Sequence, residues 1–181
     1  YLVEQIHKKH RQRVYLTKLL KLLYIIDETS VKETGAPVTG MDYRVWKMGP
    51  VAYDVYTDLM HNDSQHLSTF VEARKSGGDS PDKGGALIDS TNTFDDSEFS
   101  DYEMSLIDRV VDQFGHMQRD QLIALLHEEG SLWKKIVDAK GLEARFKSDN
   151  TSSYKIDFRD LISNDPYKLQ VFQSAQDSLN L

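Results

Sequence analysis

The sequence contains no cysteine, only four prolines and no long uninterrupted hydrophobic run. Without cysteine the chain has no disulfide, no thiolate metal ligand and no cysteine nucleophile, which suits a reducing compartment. The longest apolar stretch, residues 19–26, is interrupted by Lys21 and is much shorter than the roughly 20 residues that span a bilayer. We therefore expect no membrane span and a cytoplasmic location.

Positive charge is also scarce, because 22 Lys and Arg residues face 29 Asp and Glu residues, for a formal net charge of −7. A nucleic-acid-binding role would therefore need a local basic patch. Residues 7–13 offer such a patch, and its contacts with phosphate groups would weaken as the salt concentration rises. The same charges are also expected at the solvent-exposed end of a helix without any binding role. The basic side chains of this tract are His7, Lys8, Lys9, His10, Arg11 and Arg13.

What the chain does have is an ordinary globular composition, with 39% hydrophobic and 28% charged residues over 181 positions. That length supports one well-buried core, and neither an internal repeat nor a shift in composition separates two domains. We predict a single α+β domain over residues 1–181, mainly α, with six or seven helices. A small β-sheet or hairpin is inserted among them, and residues 142–181 form a C-terminal extension.

The first part of the chain reads as two helices. Apolar spacing predicts a short helix over residues 2–13, with Leu2 on its buried face. A second helix, over residues 18–34, carries so wide an apolar surface that we expect it at the centre of the core. Thr17 is its predicted N-cap, and Gly35 suits the position after its last residue.

The stretch "RVWKMGPVAY", residues 44–53, combines aromatic residues with a Gly-Pro pair. The β-branched and aromatic residues at 41–48 predict a short strand. Pro50 is predicted at the first position of a helix that runs to about His61, so Pro50→Ala should cost little. Gly49 is expected to take a positive φ that disfavours other residues, so Gly49→Val should cost more.

Later segments carry clear start and stop signals. Residues 66–75 and 86–93 are predicted to pair as a hairpin around a Gly-rich, mobile loop near 76–85. The sequence "SDYE" at residues 100–103 is a capping box that begins a helix ending at Gly115. Two more helices follow, the second capped by Ser131. Residues 153–162 form a strand or an extended loop, and Asp165-Pro166 begins a terminal helix.

The sequence contains few signals of catalytic chemistry. The sequence has six histidines but no His-Glu-x-x-His motif, no Gly-x-Ser-x-Gly elbow and no phosphate-binding glycine motif. His7 and His10 share a helix face as a possible ligand pair, but no third ligand is evident. A metal-dependent hydrolase that uses His61, His66 and His127 with nearby carboxylates remains an alternative. We predict no catalytic residue, no metal ligand and no cofactor.

Several residues suit structural or partner contacts. Asp27 falls on the central helix, where a buried carboxylate needs a partner, and Arg44 or Lys47 could supply it. Large side chains with polar tips are common at protein interfaces, although most such aromatics in a small domain are core residues. The partner-binding candidates are Trp46, Lys47, Tyr53, Tyr56 and Trp133.

Four segments in order resemble one family. They are "LTKLLKLLYIID", "TGAPVTGMDYRVWKMGPVAYDVYTDL", "FSDYEMSLIDRVVDQFG" and "LIALLHEEGSLWKKI". Together they are similar to the Panacea domain, also described as the SocA-like antitoxin domain. Residues 64–97 follow no family pattern, and Leu132 stands where the family usually has proline.

The resemblance implies a bacterial or phage-associated cytoplasmic protein that is not an enzyme. Such a protein binds and neutralises a toxin encoded beside it, by masking it or by delivering it to a protease. The residues that match the family motifs, which we expect to be mainly structural, are Lys18, Leu22, Leu23, Tyr24, Gly49, Pro50 and His127. Trp46 and Trp133 also match; Leu22 and Leu23 are expected to be buried. The antitoxin hypothesis is favoured over the hydrolase and over a nucleic-acid-binding regulator acting through residues 7–13.

Overall fold

The structure is a computed structural model that describes residues 1–61, 66–75, 85–92 and 94–179. Within these ranges the chain forms eight α-helices, one short 3-10 helix and two small antiparallel sheets. This confirms the α+β, mainly α, fold class. The predicted six or seven helices were too few, in part because the four-residue helix Leu142–Arg145 carries too short a pattern to recognise.

The helices and strands are bounded as follows. The helices are α1 Leu2–His10, α2 Leu16–Thr34, α3 Tyr53–His61, α4 Asp101–Phe114, α5 Arg119–Leu126, α6 Leu132–Ala139, α7 Leu142–Arg145 and α8 Pro166–Leu179, with the 3-10 helix at Phe158–Leu161. The strands are β1 Val14–Tyr15, β2 Tyr43–Trp46, β3 Gly49–Ala52, β4 Val71–Lys75 and β5 Ala86–Ser90. No helix of the described ranges has the length and apolar character needed to cross a membrane.

The chain divides into two compact units, and each is built from two separate segments. The first unit comprises Tyr1–Leu22 and Tyr53–Leu122, and the second comprises Leu23–Ala52 and Ile123–Leu181. A single domain over residues 1–181 stays a prediction.

The first unit places α1 against α4 and beside a three-stranded sheet with the order β1-β5-β4. Val14 pairs with Ile88, and Val71 pairs with Ser90, so the predicted hairpin of β4 and β5 is confirmed. Its predicted loop near 76–85 lies, except for residue 85, outside the described residues. The core of this unit is lined by Leu2, Val3, Ile6, Val14, Leu19, Leu20, Leu22, Ile88, Leu106, Ile107, Val110 and Val111.

Helix ends in the first unit follow local chemistry. Ser100 Oγ accepts a hydrogen bond from Glu103 N, while Ser100 N donates to Glu103 Oε2 at 2.8 Å, which confirms the capping box. Helix α1 ends earlier than predicted, because Arg11 adopts a left-handed φ of 55°. The predicted N-cap at Thr17 was wrong, since α2 begins at Leu16 directly after β1 and Thr17 lies inside the helix.

The second unit contains the end of α2, the β2–β3 hairpin and the helices from α6 onward. Gly35 follows α2 with a φ of +90°, as predicted, and a Cβ there would lie 2.8 Å from Lys168 O, so glycine is also needed for close packing. Ser131 caps α6, and α8 begins at Pro166, both as predicted. The core of this unit is lined by Tyr24, Ile25, Ile26, Val31, Tyr43, Val45, Leu132, Trp133, Val137, Phe146, Phe158 and Phe172.

The predicted helical position of Pro50 was wrong. Pro50 lies in β3 opposite Val45, and α3 begins three residues later at Tyr53. Val45 N–H donates to Tyr154 O at 2.9 Å, away from β3. Antiparallel pairs alternate between hydrogen-bonded and non-hydrogen-bonded positions. Pro50 and Val45 form a non-hydrogen-bonded pair, so the missing N–H of Pro50 removes no hydrogen bond between β2 and β3. A strand therefore accepts this proline as readily as a helix start would.

Candidate functional site

The β2–β3 hairpin, with its turn at Lys47 and Met48, presents most of the partner-binding candidates of the second unit. Trp46 pairs with Gly49 across this two-residue turn. Gly49 has a φ of +100°, as expected. Lys47 and Met48 both keep a negative φ, so the turn is not of a primed type, and the positive φ falls on the residue that follows the turn, where hairpins favour glycine. The turn leaves Lys47 exposed and Met48 42% exposed, whereas Trp46 is half-buried.

A supporting segment, residues 150–156, lies along β2 on the side opposite to β3. Lys47 N–H donates to Asn150 O at 2.9 Å, and Ile156 N–H donates to Tyr43 O at 2.8 Å. Ser152 Oγ donates to Val45 O at 2.5 Å inside the unit. The prediction of a strand or extended loop over residues 153–162 is thus met by an extended segment that bridges to Arg44 through Lys155 and then enters the 3-10 helix.

Trp133 holds the backbone carbonyl of Trp46, the last residue of β2, in position. The Ser131 cap starts α6 at Leu132, which places Trp133 in the first turn, and its indole N–H donates to Trp46 O at 2.8 Å. The His127 ring stacks on the indole with centroids 3.5 Å apart and planes 2° apart. Trp133 is only 6% exposed, so its side chain packs inside the unit. Trp46 is half-buried and is therefore the more accessible of the two tryptophans.

Next to the hairpin turn, the supporting segment offers one further exposed aromatic residue. Tyr154 is 39% exposed, and the Lys140 ammonium lies 5.6 Å from the centre of its ring. Tyr154 and Met48 are not among the candidates predicted from the sequence, because their exposure depends on how the hairpin and the supporting segment come together. Their common signal is only that each is a large apolar or aromatic side chain beside a segment of turn-forming residues.

Tyr53 and Tyr56 lie in the first unit, on α3, and both are half-buried. The Tyr56 ring meets the His61 ring edge to face, with centroids 6.0 Å apart. The five partner-binding candidates are therefore divided between the two units, with Trp46, Lys47 and Trp133 in the second.

Asp27 is held by neutral donors. Its carboxylate accepts from Thr39 N at 2.8 Å, from the Thr39 hydroxyl and from the Tyr43 hydroxyl at 2.9 Å. Burial raises the pKa of Asp27 above its usual value, and these hydrogen bonds oppose that shift. These donors take the place of the expected Arg44 or Lys47, and Glu28 pairs with Lys32 at 3.2 Å. The network ties the connection after α2 to β2, which is a structural role.

The basic tract of residues 7–13 is partly used inside the first unit. Lys9 Nζ lies 3.3 Å from Asp108 Oδ1 and 2.9 Å from Asp112 Oδ1, on α4. His10 Nε2 donates to Val111 O at 2.8 Å, so that nitrogen is not presented to a metal. Over the ranges that the structure describes, no three His, Cys, Asp or Glu side chains are grouped so that they could hold a metal ion.

The residues that match the family motifs are mostly internal. Lys18, Leu22, Tyr24, Gly49 and Pro50 are buried, and His127 is half-buried against Trp133. Leu22 is fully buried, as expected, whereas Leu23 is only half-buried, because it lies on a less covered side of α2. Tyr24 packs edge to face on Tyr43, with ring centroids 5.3 Å apart.

These features define a helix-rich α+β protein in which two small antiparallel sheets are inserted between helices and a tryptophan-anchored hairpin carries the exposed candidates. A model of the family described as antitoxin SocA-like, Panacea domain, matches residues 19–134. That range covers more than half of the chain, and the protein belongs to this family. Comparisons with curated proteins and with solved structures found no significant match.

Proposed function

We propose that this protein is an antitoxin that binds and neutralises a cognate toxin protein in a bacterial or phage-associated toxin–antitoxin system. The observation that carries this proposal is the match of residues 19–134 to the SocA-like antitoxin family. The protein acts in the cytoplasm as a protein-binding module without a reaction centre of its own. It neutralises the toxin either by covering it or by presenting it to a cytosolic protease.

Within the second unit, the hairpin turn is the surface that we assign to the toxin. Trp46 and Met48 offer large apolar contact areas there, and Lys47 offers a mobile charge at the same turn. Hydrogen bonds from Lys47 N to Asn150 O and from the Trp133 indole to Trp46 O hold the backbone of the turn. A preorganised turn loses little conformational entropy on binding, which favours a tight complex.

The buried indole of Trp133 supports this surface from behind. Its hydrogen bond to Trp46 O and its stacking on His127 set the position of the β2 end without exposing Trp133 itself. Tyr53 and Tyr56, half-buried on α3 of the first unit, stay further contact candidates.

The decisive experiment expresses small reading frames that neighbour this gene, alone and together with the protein. We expect one of them to arrest growth alone and to be harmless in the presence of this protein, with which it copurifies. If none of the neighbouring products is toxic, or if the toxic product is rescued without forming a complex, direct neutralisation by binding is contradicted.

Two exposed substitutions locate the toxin contact. Lys47→Gln and Met48→Ser change the turn without removing a buried group and without adding negative charge, so both variants should fold. We expect the double variant to weaken toxin binding by at least about tenfold, because central apolar contacts dominate protein interfaces. The measurement is the Kd for the toxin by calorimetry, together with growth rescue.

The matched control is Tyr167→Ser, since Tyr167 is 72% exposed on α8 and lies outside the hairpin. This variant should bind the toxin like the parent protein. Unchanged affinity in the turn variant, or an equal loss in the control, would exclude the turn as the contact. The half-life of the toxin in hosts with and without their cytosolic proteases separates masking from delivery.

A further inference from the structure

The first unit contains a small cationic pocket that the antitoxin proposal does not use. The pocket has a volume of about 240 Å³ and lies between the β1–α2 region and the start of α5. It is lined by Gln12, Arg13, Tyr15, Lys18, Gln118, Arg119 and Asp120. All of these residues belong to the same unit.

Lys18 is a buried positive charge of this pocket that hydrogen bonds hold in place. It is only 4% exposed, so its ammonium is held largely away from solvent. Lys18 Nζ donates to Gly115 O at 2.6 Å and to Gln12 Oε1 at 2.7 Å. Gln12 in turn donates to His116 O at 2.9 Å. This chain of hydrogen bonds fixes the position of the positive charge, and a fixed charge needs no reorganisation when a ligand arrives.

Two arginines bring further positive charge to the rim. Arg119 Nε donates to Asp120 Oδ1 at 2.8 Å, and its side chain is 25% exposed. Arg13 is exposed and forms no ion pair among the described residues. Arginine and lysine are the usual ligands of phosphate groups, arginine as a two-pronged donor and lysine as a point charge.

The charge of the pocket indicates the chemical class of its ligand. The three cations of the pocket exceed its one carboxylate by two charges, in a chain whose formal net charge is −7. A doubly charged phosphate group balances this excess, whereas a carboxylate group balances half of it. The volume suits a phosphate group with a small substituent and is below that of the pockets that enclose drug-sized ligands.

We propose that this pocket binds a phosphate group, either as free phosphate or as a small phosphate monoester, with Lys18 at its base and Arg13 and Arg119 at its rim. Arg13, at the end of the basic tract, is thereby assigned to a small-molecule site. This inference goes beyond the proposed function and does not rest on it.

Calorimetric titration of the full chain with inorganic phosphate, at an ionic strength held constant with chloride, tests the proposal. We expect saturable binding of one phosphate, and acetate should bind at least about tenfold more weakly. Arg13→Gln should weaken phosphate binding by about tenfold, because it removes a charged donor from an exposed position and leaves the core intact. Ribose 5-phosphate, titrated in parallel, identifies the source, since tighter binding than inorganic phosphate indicates a monoester.

Lys8→Gln is the matched control. Lys8 is exposed in the same basic tract but does not line the pocket, so its loss should leave phosphate affinity unchanged. Absence of saturable binding would overturn the proposal, as would equal affinity for acetate. An equal loss in the Lys8→Gln and Arg13→Gln variants would also overturn it, because diffuse charge attraction would then explain the binding. None of these results depends on whether the protein neutralises a toxin.

Discussion

At the scale of single residues, Asp27 and Lys21 are two of the buried ionisable side chains of α2, and the protein accommodates them differently. Asp27 is fully enclosed and is stabilised by donors from Thr39 and Tyr43. Lys21, in the first unit, is 1% exposed, and burial lowers its pKa to about 7. Near neutral pH the folded protein therefore keeps Lys21 only partly charged, at a cost in stability.

Replacement of Lys21 by methionine should make the protein more stable and less sensitive to pH. The unfolded chain keeps this lysine protonated up to about pH 10.5, whereas the folded chain releases the proton near pH 7. Because the unfolded state binds this additional proton between these values, the contribution of Lys21 to wild-type stability rises with pH across that interval. We expect the stability advantage of Lys21→Met to shrink by about 2 kcal/mol from pH 7 to pH 9.

Urea unfolding of both proteins at pH 6, 7, 8 and 9 measures this difference. The comparison with the variant removes the contribution of the histidines and of other titrating groups that the two proteins share. Parallel pH profiles for the two proteins would show that burial does not shift the ionisation of Lys21.

At the scale of elements, the β2–β3 hairpin depends on two residues for different reasons. Gly49 supplies a φ of +100°, which a β-branched side chain adopts only with strain. Pro50 lies opposite Val45 at a position where no ladder hydrogen bond is made, because Val45 N–H donates to Tyr154 O. The hairpin therefore needs the glycine for its conformation and merely tolerates the proline.

We expect Gly49→Val to destabilise the protein by about 2 kcal/mol, because it places a β-branched residue at positive φ. Pro50→Ala should change stability by less than about 1 kcal/mol, since only the conformational restriction of the unfolded chain is lost. Thermal and urea denaturation of the two variants provide the measurement. A Gly49→Val protein as stable as the parent, or a larger loss for Pro50→Ala, would contradict this account of the turn.

Elements whose ends carry a local signal could be predicted from the sequence, and the rest could not. Ser100, Gly35 and Pro166 mark their helix ends through side-chain or backbone chemistry that acts within a few residues. Pro50 fits either a helix start or an unbonded strand position, and the choice depends on a segment that reaches β2 from far along the chain. Ser152, for example, bonds to Val45 across 107 residues.

The same limit applies to the candidate site. Trp46 and Trp133 were both selected for their size and polar tips, but their hydrogen bond joins residues 87 positions apart and has no sequence signal. Lys18 matches the family motif, whereas its place in the cationic pocket depends on Gly115 and Gln12.

At the scale of the whole molecule, charge is the property that the sequence determines most directly. The formal net charge of −7 favours encounter with a basic partner, because long-range attraction raises association rates and disfavours acidic competitors. Toxin binding should therefore depend on ionic strength mainly through the association step.

With the toxin identified, we expect its association rate to fall by about tenfold between 50 and 500 mM salt, while its dissociation rate changes little. Stopped-flow or surface-binding kinetics over this range gives both rates. An association rate that is independent of salt, or that rises with it, would show that the acidic surface does not guide the toxin.

The discontinuous make-up of the two units has a practical consequence for anyone shortening the gene. Each unit joins an early stretch of chain to a later one, so a single stop codon or a single new start removes part of at least one core. Trimming to the family-matched range 19–134 would discard α1, β1 and everything after the first residues of α6. Fragments made in this way would expose apolar faces of α4 and α2 and should aggregate, so deletion mapping of this protein would report misfolding instead of function.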